Sequence, residues 1–187
     1  LREAEARLRT EKMAAMGRMS AAVAHEIRNP LAAISQANAL LDEDLVQPAQ
    51  RRLTTMVRQN AERLQHIVED VLDIARGLRN ALLEAQDPAQ MEAQIANVLE
   101  ARKRIKETVE KLEPRLQLPA GKAAMKRILE ARSAFIEGQD TVIRLLREKK
   151  NEEARVFLLT EMRERQRKYA AATGELQKIQ ENLLHAT

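Results

Sequence analysis

Residues 53–74 read LTTMVRQNAERLQHIVEDVLDI, and the fold depends on this stretch. Its apolar side chains recur at spacings of three, four or seven residues, at Leu53, Val57, Leu64, Ile67, Val71 and Ile74. That spacing places them on one face of an α-helix. The stretch therefore predicts a long amphipathic helix that needs a partner for its apolar face.

A second helix of the same kind is predicted before it. Residues 1–41 carry apolar side chains close to helical spacing, at Leu8, Met13, Met16, Met19, Val23, Ile27, Leu31, Ile34 and Leu40. Only Pro30 interrupts them, and a proline there is expected to kink the helix. Residues 42–48 (DEDLVQP) break the pattern. The sequence thus predicts an antiparallel helical hairpin with a short loop.

Three more helices are predicted after the hairpin. Asp87 followed by Pro88 is a helix start, with a capping side chain and a proline at the first helical position. Breaks are predicted at residues 118–121 (LPAG) and 149–151 (KKN). The inward positions are Met91, Ile95, Val98, Arg102, Ile105, Val109, Leu112 and Leu116; Met125, Ile128, Arg132, Phe135, Gln139, Val142 and Leu146; Leu159, Met162, Gln166, Tyr169, Thr173, Leu176 and Leu183. This spacing predicts an all-α fold, with a left-handed antiparallel bundle after the hairpin.

Composition narrows the classes of function. Of 187 residues, 32% are charged and 2% aromatic, which is typical of long packed helices. There is no cysteine, so neither a disulfide framework nor a thiolate metal site is expected, and no metal site is predicted. The net charge of +4 is spread among alternating acids and bases without interleaved aromatics, which argues against nucleic-acid binding. No apolar run approaches a membrane span and no secretory leader is seen, so the chain is expected to be soluble.

The strongest chemical signal is residues 22–31, AVAHEIRNPL. His25 lies on the face opposite the apolar one, beside Glu26, and Asn29 shares its face one turn later. A solvent-facing imidazole is a nucleophile toward a phosphoryl group if a neighbouring carboxylate holds its other nitrogen and balances the developing charge. Asn29 is suited to orienting a water for the reverse reaction. We predict His25, Glu26 and Asn29 as the catalytic residues.

Residues 11–19 (EKMAAMGRM), 22–31 and 60–73 (NAERLQHIVEDVLD) resemble the dimerisation and phosphoacceptor domain of sensor histidine kinases. The resemblance covers roughly residues 10–76. It implies a homodimeric four-helix bundle, phosphorylation of His25 by an ATP-binding domain, and transfer to an aspartate of a response-regulator receiver domain. It gives no role to His66 or His185.

The sequence departs from that family after the hairpin, where an α/β ATP-binding domain normally follows. Glycine occurs only singly in this chain, and no strand-like alternation is visible. We therefore expect this chain to hold no cofactor and to have no kinase activity of its own. The phosphoryl group on His25 is expected to come from ATP held by a separate domain.

Residues 78–187 resemble the four-helix-bundle ligand-binding domain of chemoreceptors. The resemblance rests on residues 79–83 (RNALL), 87–88 (DP), 132–135 (RSAF), 161–163 (EMR) and 166–169 (QRKY). It implies binding of a small molecule outside the cytoplasm and a signal passed by helix displacement.

Polar side chains at inward positions of this bundle suggest where a ligand binds. They are Arg102, Arg132, Gln139, Gln166, Tyr169 and Thr173. Folding the helices back puts Arg132 level with Tyr169 and Thr108, and Arg102 level with Gln139 and Met162. Inward guanidinium groups with hydroxyl and amide neighbours suit a small carboxylate. The alternative is that these arginines extend to the surface and pair with glutamates.

A second ligand site is suggested by the chemoreceptor resemblance, near the arginines of the first helix. Arg76 and Arg79 match that pattern loosely, and Thr160 lies at a similar height on the last helix. In the known receptors such a site lies at a dimer interface.

The two halves, residues 1–77 and 78–187, appear in an unusual order. The two resemblances imply parent proteins in the inner membrane, with the kinase hairpin in the cytoplasm, the sensor bundle in the periplasm, and the sensor first in the chain. We predict an engineered fusion joined near residues 74–77, with one helix running through both parts. That helix would then have to pack in two bundles at once. Two alternatives remain: a receptor module for which the hairpin is only a dimerisation scaffold, and a coiled-coil adaptor without chemistry.

Overall fold

The computed structural model describes residues 28–29, 31–34, 36 and 48–185, with side chains to residue 183. The longer helices are α1 (Pro48–Leu83), α2 (Pro88–Leu112), α3 (Pro119–Arg147), α4 (Asn151–Leu159) and α5 (Glu161–His185). The residues described before Pro48 are also helical. No strand occurs in these described ranges, and the all-α prediction is confirmed.

Helix α1 contains the stretch that predicted it and continues past it to Leu83. A single helix therefore runs through residues 74–77, as expected. Its buried face comprises Thr54, Val57, Asn60, Ala61, Leu64, Ile67, Val68, Asp70, Val71, Ile74, Gly77, Leu78 and Ala81. The division of the chain into residues 1–77 and 78–187 stays a prediction.

The start of α2 follows the predicted capping signal. Asp87 is the N-cap, and its Oδ1 accepts hydrogen bonds from the backbone N–H groups of Ala89 at 3.0 Å and Gln90 at 3.2 Å. Pro88 occupies the first turn, where a missing N–H costs nothing. These residues turn the chain so that α2 lies against α1.

The end of α2 was predicted wrongly. The helix stops at Leu112 and a 3₁₀ turn follows at Glu113–Arg115, whereas the apolar spacing continued to Leu116. Pro114 explains the difference, because it lacks the N–H that would continue the hydrogen bonds of the helix. The chain therefore reverses at residues 113–118. Gly121 is not part of the reversal, since it is buried inside α3.

Two breaks in the helical backbone separate α3, α4 and α5. The break between α3 and α4 was predicted, and the break between α4 and α5 was not. Helix α3 ends at Arg147, and the turn includes Lys149 in the left-handed region, with φ of 60°. At Thr160 the backbone leaves helical geometry, with φ of −116° and ψ of −83°. The Thr160 hydroxyl donates to the Val156 carbonyl at 2.8 Å, a bond that tends to bend helices.

The helices share one hydrophobic core. α1 packs along α2, α3 packs along α5, and α1 also contacts α3, α4 and α5. Leu31 and Ile34 of the preceding helical stretch belong to the same core, at 1% and 4% exposure. Helix α1 thus packs against the helices that follow it in the chain, and its place in the predicted hairpin stays a prediction. In the part of the chain that the structure describes, no helix combines the length and apolar character needed to cross a membrane.

Candidate functional site

The predicted phosphoacceptor site is described only at Asn29, because His25 and Glu26 lie outside the described residues. Asn29 is helical and exposed. Leu31 and Ile34, two and five residues later, are buried in the core. Polar and apolar side chains in this short stretch therefore point in the directions that the sequence predicted.

A second histidine, His66, lies in the described part of the hairpin. It is on α1, with its side chain 67% exposed and Nδ1 3.5 Å from Oε2 of Glu69. Glu69 is three residues further on the same helix, so this is a local surface contact of small energetic value. The geometry gives His66 no partner from another helix among its described contacts.

One of the two predicted polar layers is formed as expected. Arg102 on α2 donates from Nε to Oε1 of Gln139 on α3 at 3.0 Å, and from Nη2 to Oδ1 of Asp140 at 2.6 Å. Gln139 is 1% exposed, so the bond satisfies a buried amide oxygen. The Arg102 guanidinium is therefore already held by two side chains of the neighbouring helix.

The second predicted layer brings Arg132 close to Tyr169. Tyr169 is 1% exposed, and its ring packs on Phe135 with 5.8 Å between centroids. Within the described residues, the Tyr169 hydroxyl and the buried Nε of Arg132 have no hydrogen-bond partner. Burial raises the pKa of Tyr169, and the nearby charge of Arg132 opposes that rise only in part. Tyr169 is therefore a neutral phenol at physiological pH.

Sequence reasoning missed Asp70, which belongs to this same region. Its carboxylate accepts a 2.7 Å hydrogen bond from Nε of Arg104 on α2, and its charge adds to the raised pKa of Tyr169. Burial raises the pKa of Asp70 itself, against the effect of the Arg104 bond. The signal was present in the sequence, since Asp70 lies between Ile67 and Ile74 at three- and four-residue spacing.

The remaining predicted ligand residues are placed as follows. Thr173 is buried, but its hydroxyl donates to the Tyr169 carbonyl one turn back at 2.6 Å. Thr160 is exposed and makes the same kind of bond to Val156. Arg79 is half-buried on α1, and Arg76 is exposed beside Asp73 at 3.3 Å. The second site, at Arg79 and Thr160, stays a prediction.

Among the described side chains, no group of three histidine, aspartate or glutamate residues is arranged to hold an ion.

Comparison with known proteins identifies the class of the first segment. Residues 15–80 match the family profile of the His Kinase A (phospho-acceptor) domain. The match includes His25, Glu26 and Asn29 and extends to Asn80 on α1. Residues 15–80 are thus similar to the phosphoacceptor domain of histidine kinases.

Individual relatives agree with that assignment. This chain is 44% identical over 66 residues to the sensor protein kinase PilS of Pseudomonas aeruginosa, an alignment that covers 35% of this chain and 12% of PilS. It is 40% identical over 70 residues to the sensor protein kinase FleS of the same species, covering 37% of this chain and 17% of FleS. It is 36% identical over 73 residues to the sensor histidine kinase ZraS of Klebsiella oxytoca, covering 38% and 16%. This chain thus spans less than a fifth of these relatives.

The family match ends at residue 80. The chemoreceptor resemblance of residues 78–187 and the engineered fusion are not supported by these comparisons and stay predictions.

Proposed function

We propose that this chain is a signalling module whose His25 accepts a phosphoryl group and whose helical bundle binds a small carboxylate. The observation that carries the proposal is the phosphoacceptor-domain match over residues 15–80, with His25, Glu26 and Asn29 inside it. The ATP-binding domain of a histidine kinase, separate from residues 1–187, supplies the phosphoryl group. A response-regulator receiver domain takes it, and the hairpin works as a homodimer.

The residues perform the transfer as follows. One imidazole nitrogen of His25 attacks the γ-phosphorus of ATP, the P–N bond forms, and the bond to the leaving ADP oxygen breaks. Glu26 holds the N–H of the other ring nitrogen and offsets the positive charge that the ring gains. Asn29 is exposed, as a residue that orients an attacking water must be.

The carboxylate half of the proposal is supported by Arg132 and Tyr169. Two buried donors without partners in the described residues carry a desolvation cost that an acceptor between them would offset. A carboxylate accepts from both and pairs with the guanidinium charge. The negative charge of Asp70 opposes the binding of a carboxylate here, and the bond from Arg104 offsets part of that charge.

We place the parent proteins in the inner membrane, with the hairpin on the cytoplasmic side and the sensing bundle on the periplasmic side. This placement follows from the two resemblances. It implies that the natural counterparts of the two halves are separated by a membrane span.

Transfer of labelled phosphate tests the proposal. The chain is mixed with the isolated ATP-binding domain of a histidine kinase and γ-labelled ATP, and label on the chain is measured. Wild type should be labelled, and His25→Gln should not. His66→Gln is the matched control, because it removes an exposed histidine from the same domain and should leave labelling unchanged.

Two further outcomes refine the result. Glu26→Gln should slow labelling without changing association, since its role is to orient and balance the imidazole. Label retained by His25→Gln would overturn the assignment of His25. Absence of label on wild type, with carboxylate binding intact, would favour the receptor module with a scaffold hairpin.

A further inference from the structure

The apolar face of α1 is covered from within the same chain. Each of its side chains named here is at most 8% exposed: Val57, Leu64, Ile67, Val71 and Ile74. Among the described helices, α2 makes the most extensive contact with α1, and α3 and α5 add further contacts. The resemblance to histidine kinases, however, implies that the hairpin pairs with a second copy.

The fit between α1 and α2 is close at Gly77. A Cβ atom at this position would lie 2.5 Å from Cγ2 of Val98, which is closer than real contacts allow. Val98 is β-branched and stiff, so it cannot move aside cheaply. Glycine therefore permits the two helix backbones to approach at this level.

Polar contacts continue the same antiparallel register along α1. Arg104 bonds to Asp70 at 2.7 Å and to Asp73 at 3.3 Å, and Arg115 donates to Oε1 of Gln59 at 3.0 Å. From Gln59 to Gly77 along α1, the partners run back from Arg115, in the turn after α2, to Val98 within α2. The two helices are thus fitted over most of the hairpin segment.

We infer that α2 is an internal partner that competes with a second copy of the chain for the apolar face of α1. Side chains buried in this way cannot at the same time form the interface of a symmetric dimer. The inference rests on the proposed function and deepens it. The hairpin can pair with a second copy only when α1 and α2 have separated. Association therefore regulates the phosphoacceptor domain through the α1–α2 contact.

A disulfide across this contact tests the inference. The chain has no cysteine, and a Cβ at residue 77 lies 3.8 Å from Cβ of Val98, within the usual span of a disulfide. The variant Gly77→Cys with Val98→Cys also removes the Val98 methyl group that would collide. Light scattering then measures the association of the full chain, oxidised and reduced.

The oxidised variant should associate at least tenfold more weakly than the same variant after reduction. Equal association in both redox states would overturn the inference, and so would failure of an intrachain disulfide to form. Wild type, which lacks cysteine, is the control and should ignore the oxidant. This readout does not depend on phosphorylation, so it separates a failure of the inference from a failure of the proposed function.

A charge reversal gives an independent check without altering α1. Arg104→Glu places a carboxylate opposite Asp70 and Asp73 and should strengthen dimerisation severalfold by loosening α2. Arg127→Glu is the matched control, because Arg127 pairs with Glu175 between α3 and α5. Dimerisation that is unchanged or weaker in Arg104→Glu, relative to Arg127→Glu, would contradict the competition.

Discussion

Nε of Arg102 lies 3.0 Å from Oε1 of Gln139, and this hydrogen bond joins α2 to α3 inside the bundle. The Arg102 side chain is only 22% exposed, and the same guanidinium reaches Asp140 at the surface. The arginine thus extends from a buried amide to an exposed carboxylate. Its side chain stabilises the helix pair, whereas Nε of Arg132 has no hydrogen-bond partner in the described residues.

Replacing Arg102 should therefore reduce stability. Arg102→Leu leaves the buried Gln139 amide without its partner, and we expect a loss of about 1–3 kcal/mol in the free energy of unfolding. Adding Gln139→Leu should recover part of the loss, because both polar partners are then gone. Urea unfolding measures both. Arg127→Leu, which breaks an exposed ion pair, should cost about 0–1 kcal/mol, and an equal loss in the two single variants would contradict the argument.

Ligand binding should depend on Arg132 and Tyr169. A small di- or tricarboxylate should raise the unfolding temperature as its concentration increases above Kd. Arg132→Ala and Tyr169→Phe should abolish this response, and Tyr169→Phe should keep the ring contact with Phe135 and near wild-type stability. A thermal-shift series with malate, citrate, succinate and aromatic acids makes the measurement. No response of wild type to any of them would leave Arg132 as a structural residue.

Replacing each of two helical glycines by alanine should change the free energy of unfolding in opposite directions. A Cβ at Gly138 would collide with Sδ of Met162 and lie 3.1 Å from Cδ of Arg165, whose guanidinium is held by the Ala134 carbonyl at 2.6 Å. Gly138→Ala should therefore destabilise the fold by about 1–3 kcal/mol.

Gly174 is the matched control, because no atom lies within 4 Å of an added Cβ. Gly174→Ala should stabilise the fold by about 0.5–1 kcal/mol, through the better helix propensity of alanine. Denaturant unfolding distinguishes the two variants. A gain in stability at Gly138 would show that α3 and α5 do not approach as closely as described.

Asp70 should make stability depend on pH in an unusual direction. Burial raises its pKa above the ordinary value of 3.8, so folding favours the protonated carboxyl. The stability that Asp70 contributes is therefore fully present below that value and is lost as pH rises through the raised pKa.

Comparison with Asp70→Asn isolates this effect. The free energy of unfolding of wild type, relative to the variant, should fall as pH rises above 3.8 and then level off toward neutral pH. Urea unfolding at a series of pH values checks this. A difference that grows with rising pH would mean that the bond from Arg104 outweighs the burial of Asp70.

The sequence predicted the elements whose signals are local. The apolar spacing of residues 53–74 gave α1, and the pair Asp87 and Pro88 gave the start of α2. The end of α2 was missed because Leu116 continues the apolar spacing beyond Pro114. The break at Thr160 was missed because Leu159 and Met162 keep helical spacing across it.

The interior polar groups were predictable only in part. Arg102 and Gln139 occupy inward positions of two helices with a short connection, so their pairing followed from the register. Asp70 was missed because its helix had been assigned to the hairpin, and only the packing of α1 in the bundle places its carboxylate near Tyr169. Tertiary contacts, such as that between Gly77 and Val98, decide which of two partners packs on a helix face. The periodicity of apolar residues does not predict which partner this is.

The site of phosphate attachment tests the central claim most directly. The chain has three histidines, and phosphohistidine can be located by mass spectrometry after transfer from a kinase ATP-binding domain under conditions that avoid acid. The phosphoryl group should be found on His25, with none on His66 or His185. Phosphate on either of those residues, or none on His25 of the wild-type chain, would contradict the account.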